Sequence, residues 1–156
     1  MGKFEIVPLR AESVPEIVMI AEECVLAPWT EDDYLAEVGR AGSYTFQAES
    51  VPERIAAGFI IMRLITNKDE HNSSVFEILN LAVKKNYQRK GVGTKLIETV
   101  VRAARQISPA AVWLEVRASN KTAIEFYKKH GFASEYVRRN FYSGPVEDGI
   151  VMKLVV

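Results

Sequence analysis

Cysteine, histidine and net charge are all scarce in this sequence of 156 residues. It has one cysteine and two histidines, and its 20 lysine and arginine residues balance 20 aspartate and glutamate residues. Because Cys24 has no second cysteine to pair with, the chain cannot close an internal disulfide, which is typical of a reducing compartment such as the cytoplasm. So few cysteines and histidines predict no metal site. The balanced charge predicts no general attraction to nucleic acid or to an anionic membrane.

Long apolar segments are also missing. The longest, residues 55–62, is much shorter than the roughly 20 residues that a membrane-spanning helix needs. Residues 1–10 lack the apolar core of a signal peptide. The sequence does contain enough apolar residues, 48% of the total, to build a sizeable core. We therefore expect one cytoplasmic domain over residues 1–156 that does not enter a membrane.

Hydrophobic periodicity and turn residues predict an alternation of strands and helices. Ser13 and Thr30 are expected to cap the first two helices, residues 49–53 to form a turn, and the polar residues 67–74 to form a loop. The resulting order favours an α/β fold, with a mixed, mostly antiparallel central sheet and helices on both faces. Strands are expected at residues 4–9, 43–48, 54–66, 75–83, 111–117, 132–141 and 149–156. Helices are expected at 13–25, 30–39, from 92 up to the Ser108-Pro109 break, and at 121–130.

A basic, glycine-containing segment joins the strand at 75–83 to the following helix. It reads Gln88-Arg89-Lys90-Gly91-Val92-Gly93-Thr94. The first N–H groups of a helix lack partners within the helix, and its dipole favours negative charge there. Glycines without side chains would let a phosphate approach these groups. Taken alone, the spacing of Gly91 and Gly93 also fits an ordinary turn, and it matches neither of the common nucleotide-binding fingerprints.

Two side chains further along the chain could carry acid-base chemistry. Glu115 stands inside an apolar strand, where an ionised carboxylate needs a partner, a cleft or a function to offset its desolvation. An ion pair with Arg117 or Lys121 would explain it equally well. Tyr127 lies on the following helix and, by itself, reads as a core aromatic whose hydroxyl reaches the rim.

The motifs around these residues resemble those of the GCN5-related N-acetyltransferases, the GNAT family. The segment from Gln88 to Gly93 matches the pattern Gln/Arg-x-x-Gly-x-Gly/Ala of that family's acetyl-CoA pyrophosphate loop. The run from Leu114 to Phe132 is similar to the Leu-Glu-Val-Arg-x-Ser-Asn-x-x-Ala-x-x-x-Tyr-x-x-x-Gly-Phe motif of the RimI-type N-terminal acetyltransferases, which modify the N-terminal alanine of a ribosomal protein. Three further pieces are similar: Pro28-Trp29-Thr30, Tyr87 to Gly93, and Arg138-Arg139-Asn140-Phe141-Tyr142 followed by Glu147-Asp148.

The resemblance implies the GNAT acyl-CoA N-acyltransferase fold and a role for each matching residue. Glu115 corresponds to the general base and Tyr127 to the general acid. Trp29 and Tyr142 fall in loops that frame the acceptor peptide in such enzymes. The coenzyme would be acetyl-CoA, leaving as CoA. Its contacts correspond to Leu81, Ala82, Val83, Gln88, Arg89, Lys90, Gly91, Val92, Gly93, Thr94 and Asn120.

The function that the resemblance implies is acetylation of the N-terminal α-amino group of a protein, with a small-subunit ribosomal protein as candidate partner. An α-amine with a pKa of about 8 is roughly one-fifth neutral near pH 7.4, whereas a lysine near 10.4 is about one-thousandth neutral. A terminal amine therefore demands less of its base. Two alternatives stay open: a lysine side chain or small-molecule amine as acceptor, and a non-catalytic module that binds acyl-CoA. The loop at 67–74 departs from the short hairpin of the RimI-type enzymes and bears on the acceptor.

Overall fold

A computed structural model describes residues 3–26, 29–66, 74–107 and 111–156 of the chain. Its seven strands form one sheet in the order β1-β2-β3-β4-β5-β7-β6. The strands are β1 Lys3–Pro8, β2 Ser43–Val51, β3 Ala56–Thr66, β4 Ser74–Val83, β5 Ala111–Arg117, β6 Ala133–Ser143 and β7 Val146–Val155. The helices are α1 Val14–Glu23, α2 Glu31–Val38, α3 Val92–Ile107 and α4 Lys121–Lys129.

The strand pairing confirms the predicted mixed, mostly antiparallel sheet. β1 with β2, β2 with β3, β5 with β7 and β6 with β7 are antiparallel. β4 and β5 run parallel, with Phe76 opposite Val112 and Glu77 opposite Trp113. No helix among the described residues is long and apolar enough to cross a bilayer.

Two local predictions are wrong. The expected turn at 49–53 begins as strand, because β2 continues to Val51 and buries Glu49 and Ser50. The Glu49 carboxylate can lie in the core because Arg10 and Arg54 pair with it. Ser13 does not cap α1, since a short 3-10 turn precedes the helix and gives Ser13 a helical backbone with φ −86° and ψ −10°.

Other local predictions are confirmed. Thr30 caps α2 through a complete capping box with Asp33, and β5 has the predicted bounds. The residues that were expected to form the buried stripe of α3 are all buried. Of the expected loop, residues 67–73 lie outside the described residues, and Ser74 is the first residue of β4. The stripe comprises Val92, Leu96, Ile97, Val100, Val101 and Ala104.

The chain divides into two compact units, and a single domain over 1–156 stays a prediction. Unit 1 comprises Met1–Arg63 and Leu79–Ala103. Unit 2 comprises Leu64–Ile78 and Ala104–Val156. The two units are described separately below.

In unit 1, helices cover both faces of the sheet, as predicted. Phe59 and Ile61 of β3 pack in a core cluster with residues of α1 and α2. The intervening even-numbered positions of β3 point to the other face. There a Cβ on Gly58 would lie 3.4 Å from Cδ1 of Leu96, a residue of α3. The absent side chain at Gly58 therefore lets α3 and the end of β4 approach β3 closely.

In unit 2, the two faces of β5 differ in chemistry. Val112, Leu114 and Val116 are buried, whereas the alternate residues Trp113, Glu115 and Arg117 are partly exposed. α4 lies on the apolar face: its Ile124 is buried, and a Cβ on Gly131, just after the helix, would lie 3.1 Å from the Leu154 side chain, which shares the face of Val112. The opposite face of the strand is thus left to polar and charged side chains.

Candidate active site

In unit 1, the predicted phosphate loop forms a turn that leads into the first turn of α3. The first helical hydrogen bond runs from the Lys95 N–H to the Gly91 carbonyl, at 3.1 Å. Arg89 and Gly91 both adopt positive φ, 59° and 82°. Apart from Gly91 itself and its adjacent backbone, no heavy atom of the described residues lies within 4 Å of the position that a Cβ on Gly91 would take. The helix start is therefore open to an anion, and the exposed Arg89 and Lys90 supply positive charge beside it.

Hydrogen bonds fix the end of β4, the segment Leu81–Val83 that is predicted to bind the coenzyme. The Val83 carbonyl accepts hydrogen bonds from the Gln88 side-chain amide at 2.9 Å and from the Cys24 thiol at 3.3 Å. The Lys84 N–H donates to the Ala57 carbonyl at 2.8 Å. A Cβ on Gly58 would lie only 2.7 Å from the Ala82 carbonyl oxygen. The side chain of Gln88 thus ties the loop to the strand that precedes it.

In unit 2, Glu115 lies at the centre of the polar face of β5. Its side chain is 18% exposed, and its Oε1 lies 3.3 Å from Nε of Arg138 on β6. Its Oε2 is buried and has no hydrogen-bond partner among the described residues. The alternative explanation, an ion pair with Arg117 or Lys121, named the wrong partner, because Arg117 pairs with Glu147 and Arg138 pairs with Glu115.

The surroundings of Glu115 favour its neutral form. Burial raises the pKa of its carboxyl, and the nearby charge of Glu77 raises it further, whereas Arg138 lowers it. Desolvation is the largest of these effects. A carboxylate with a raised pKa and one unpartnered oxygen holds a proton more tightly than an exposed glutamate does. This is the property that a general base needs in order to take a proton from an amine.

Tyr127 projects from α4 into an aromatic environment. Its partly buried ring packs edge-on against Phe126 and Phe132, with centroids 5.3 and 5.7 Å away. Burial raises the pKa of its hydroxyl, and the neighbouring Tyr142 raises it further. The hydroxyl therefore keeps its proton at neutral pH and is available as a donor.

Tyr142 connects the environments of the two predicted catalytic residues. Burial raises the pKa of the Tyr142 hydroxyl, as does the charge of Glu115. Tyr142 in turn raises the pKa of the Tyr127 hydroxyl. The Arg117 guanidinium stacks on its ring, 4.4 Å from the centroid. Arg117 also donates to the carbonyl of Pro145 at 3.2 Å and to Glu147 at 3.3 Å. We call Arg117, Glu147 and Ser119, whose backbone N–H donates to Glu147, the Arg117 clamp.

The strand that carries Arg138 and Tyr142 is irregular. Arg138 lies opposite Gly149 and Tyr142 lies opposite Glu147, so three residues of β6 face the single Asp148 of β7. In the middle of this bulge Asn140 has a positive φ of 52°, and its N–H donates to the Asp148 carboxylate at 2.9 Å. The bulge sets the positions of Arg138 and Tyr142 relative to β5.

The remaining predicted residues are held by local structure. Asn120 caps α4, its side-chain oxygen accepting from the Ala123 N–H at 3.1 Å. Trp29 is partly buried against Tyr34 of α2, with ring centroids 5.1 Å apart. Sequence reasoning assigned no role to Glu77, although a carboxylate in the apolar strand β4 is the same signal that singled out Glu115. It likewise assigned none to Arg138, because the bulge that places this residue leaves no periodic pattern.

Known proteins resemble this chain in sequence and in fold. Residues 14–132 match the family model described as Acetyltransferase (GNAT) family. The ribosomal protein bS18-alanine N-acetyltransferase of Escherichia coli strain K12 is 30% identical over 150 residues, which cover 95% of each chain. The crystal structure of the Escherichia coli enzyme covers 99% of this chain and 94% of its own, with a TM-score of 0.84 and 29% identity. Arabidopsis thaliana NAA60 in complex with acetyl-CoA, at 19% identity, shares the fold with a TM-score of 0.89 over 99% of both chains.

The fold and the matched residues define an acyltransferase of the acetyl-CoA-dependent class, in agreement with the resemblance in the sequence. The chain belongs to the acetyltransferase (GNAT) family. It is an N-acetyltransferase whose coenzyme is acetyl-CoA.

Proposed function

We propose that this enzyme transfers the acetyl group of acetyl-CoA to the N-terminal α-amino group of a protein. The first candidate acceptor is the N-terminal alanine of a small-subunit ribosomal protein, since a relative that matches nearly the whole chain bears the name of a bS18-alanine N-acetyltransferase. The observation that carries the proposal is the Glu115 carboxylate, whose buried Oε2 has no hydrogen-bond partner in the part of the chain that the structure describes. Such an oxygen can take a proton from an α-ammonium, whose pKa of about 8 is the lowest of the common protein amines.

Glu115 is the proposed general base and Tyr127 the proposed general acid. The amine nitrogen attacks the thioester carbonyl, its proton passes to Glu115 directly or through a water, and the carbon–sulfur bond breaks to release CoA thiolate. Tyr127 donates a hydrogen bond, and finally a proton, to that sulfur. Because burial holds the pKa of the Tyr127 hydroxyl above that of a thiol near 8.5, full transfer is uphill. Its main contribution is therefore the hydrogen bond to the developing charge.

The proposed coenzyme contacts are those of the phosphate loop, the end of β4 and the start of α4. The open helix start at Gly91 with its basic neighbours fits a pyrophosphate. Trp29 and Tyr142 are the proposed contacts to the acceptor peptide. The proposed coenzyme-binding residues are Leu81, Ala82, Val83, Gln88, Arg89, Lys90, Gly91, Val92, Gly93, Thr94 and Asn120.

Substitution of the two catalytic residues tests the reaction. Glu115→Gln and Tyr127→Phe should each lower kcat by about 10²-fold or more, the usual loss for an acid or base, while the Kd for acetyl-CoA stays near its original value. Glu125→Gln, an exposed glutamate on α4, is the matched control and should keep full activity. Full activity in both catalytic variants would contradict the assignment.

A peptide panel tests the acceptor by mass spectrometry. Peptides that begin with alanine or serine are compared with the same peptides blocked at the N-terminus but carrying an internal lysine, and with a polyamine. We expect acetylation of the free α-amine only. Modification of the blocked peptide would assign a lysine acceptor, modification of the polyamine alone would assign a small amine, and coenzyme binding without any transfer would indicate a binding module.

A further inference from the structure

The polar face of β5 carries a second carboxylate beside Glu115. Glu77 of β4 lies opposite Trp113, and Trp113 is two residues before Glu115 on the same face of the strand. Glu77 is partly buried. Neighbouring strands lie about 4.8 Å apart and a two-residue step along a strand is about 6.6 Å, so the two side chains can approach each other above the sheet. The negative charge of Glu77 therefore acts on the partly desolvated Glu115 carboxyl.

Arg138 reaches the same carboxylate from the other side. It lies opposite Gly149, which lies opposite Arg117, so its side chain shares the face of Glu115. Its Nε lies 3.3 Å from Oε1 of Glu115, its guanidinium carbon lies 5.4 Å from the centroid of the Phe141 ring, and Tyr136 hydrogen-bonds to its side chain. Arg138 thus engages one oxygen of Glu115, while Oε2 has no hydrogen-bond partner within residues 3–26, 29–66, 74–107 and 111–156.

We propose that Arg138 and Glu77 are positioning residues that act on Glu115 in opposite directions: Arg138 fixes Oε1 and keeps the carboxylate ionised, and Glu77 strengthens its hold on a proton. The proton from the acceptor amine then arrives at Oε2. This inference rests on the proposed role of Glu115 as general base. It assigns the strength of that base to two residues that do not touch the acceptor amine.

Electrostatics gives both effects their sign. An opposite charge close to a carboxylate favours its ionised form, and a like charge favours its neutral form. Glu115 responds accordingly, because Arg138 lowers the pKa of its carboxyl whereas Glu77 and burial raise it. With Arg138 alone, the Glu115 carboxylate would be too weak a base for an ammonium. With Glu77 alone, the carboxyl would stay protonated up to a higher pH.

Other charged or titratable groups on the elements around Glu115 are engaged elsewhere. Arg117 pairs with Glu147 and stacks on Tyr142. Lys153 lies over the Trp113 ring, 5.1 Å from its centroid. Tyr127 and Tyr142 keep their protons at the working pH, because burial raises the pKa of each hydroxyl. Together with Glu77 of β4 and Arg138 of β6, the charged or titratable groups on these elements are Arg117 of β5, Tyr127 of α4, Tyr136 and Tyr142 of β6, and Glu147 and Lys153 of β7.

Direct titration of the Glu115 carboxyl tests the inference without using activity. The full chain is labelled with ¹³C at the glutamate carboxyl carbons, and the Glu115 signal is assigned by its loss in Glu115→Gln. In the free enzyme, Arg138→Gln should shift the midpoint of this signal to higher pH and Glu77→Gln should shift it to lower pH. Arg139→Gln and Glu135→Gln, exposed residues of the same strand β6, are the matched controls and should leave the midpoint unchanged.

Steady-state kinetics then links the titration to turnover. The acid limb of the pH profile of kcat should shift in the same directions as the titration midpoint. Arg138→Gln should therefore lose activity several-fold at low pH and approach the activity of the wild-type enzyme at high pH. The KM for the acceptor should change little. Midpoints that do not move, or that move together in one direction, would overturn the inference. If instead Glu115→Gln keeps full activity, the proposed base is wrong, while the titration still reports whether Arg138 and Glu77 act on the carboxyl.

Discussion

At the scale of single residues, Gly91 is the position where backbone conformation bears on the proposed binding of the coenzyme. Its φ of +82° belongs to the left-handed region, and beyond the adjacent backbone no heavy atom of the described residues lies within 4 Å of the position of an added Cβ. A side chain there strains the backbone and also fills the approach to the first N–H groups of α3. The strain costs about 1 kcal/mol of stability. The lost approach should cost affinity in addition.

We therefore predict that Gly91→Ala weakens acetyl-CoA binding by more than tenfold but lowers the free energy of unfolding by only about 1 kcal/mol. Isothermal titration calorimetry and denaturant unfolding measure the two quantities. Gly39→Ala is the matched control, because Gly39 has φ −95° and no heavy atom of the described residues near its Cβ position. Unchanged affinity in the strained variant would remove the phosphate loop from the coenzyme site.

Some features of single residues could be predicted from their neighbours in the sequence, and others could not. The helical stripe of α3 and the cap at Thr30 were predictable because period and capping are properties of neighbouring residues. Burial of Glu37 was not, since Arg40 lies only three residues along the chain but the second cation, Arg63, reaches the carboxylate only when α2 meets β3. The arginines that pair with Glu49 could not be predicted for the same reason, since Arg10 lies 39 residues before it and Arg54 lies 5 residues after it.

At the scale of elements, the Arg117 clamp joins the β6–β7 hairpin to the end of β5 and the start of α4. Hydrogen bonds from Ser119, followed by that from Arg117, hold the pKa of the Glu147 carboxyl below its usual range. A carboxyl with a lowered folded-state pKa stabilises the fold above its unfolded-state pKa, and that contribution disappears as the pH falls through the folded-state pKa. The clamp is therefore expected to open in acid.

This gives a prediction about thermal stability. The Tm of the original chain should exceed that of Glu147→Gln near pH 7, and the two should converge as the pH falls below the usual glutamate range. Differential scanning calorimetry between pH 7 and pH 3 measures the difference. The Tm of the control variant Glu125→Gln, at an exposed position, should equal that of the wild-type chain at every pH. A difference in Tm between the wild-type chain and Glu147→Gln that stays constant with pH would show that the carboxylate charge does not hold the hairpin.

The same elements explain why the candidate site was predicted only in part. The residues Glu115, Tyr127 and Gly91 stand in contiguous motifs, so the resemblance could identify them. The partner of Glu115 could not be identified, because spacing suggested Arg117 whereas the bulge in β6 brings Arg138 to the carboxylate instead. A strand bulge changes which side chains share a face, and no local periodicity records it.

At the scale of the whole molecule, acetyl-CoA should act as a stabilising ligand. A ligand that binds only the folded chain adds about 2.7 kcal/mol at a concentration of 100 Kd. For a chain of 156 residues this corresponds to a rise in Tm of roughly 5–10 °C. Thermal unfolding with and without acetyl-CoA measures it. Pantetheine, which lacks the pyrophosphate, should raise Tm much less, and equal shifts would argue against phosphate recognition by the loop at 88–94.

The bulge in β6 has a consequence for how molecules of this protein behave in concentrated solution. β6 ends the strand order of the sheet, and an outermost strand presents a row of backbone groups on which another chain can add. Its left-handed Asn140, its three residues opposite one, and its neighbouring arginines interrupt that row. The irregularity that positions Arg138 and Tyr142 thus also discourages strand addition, and so protects the enzyme against edge-to-edge aggregation.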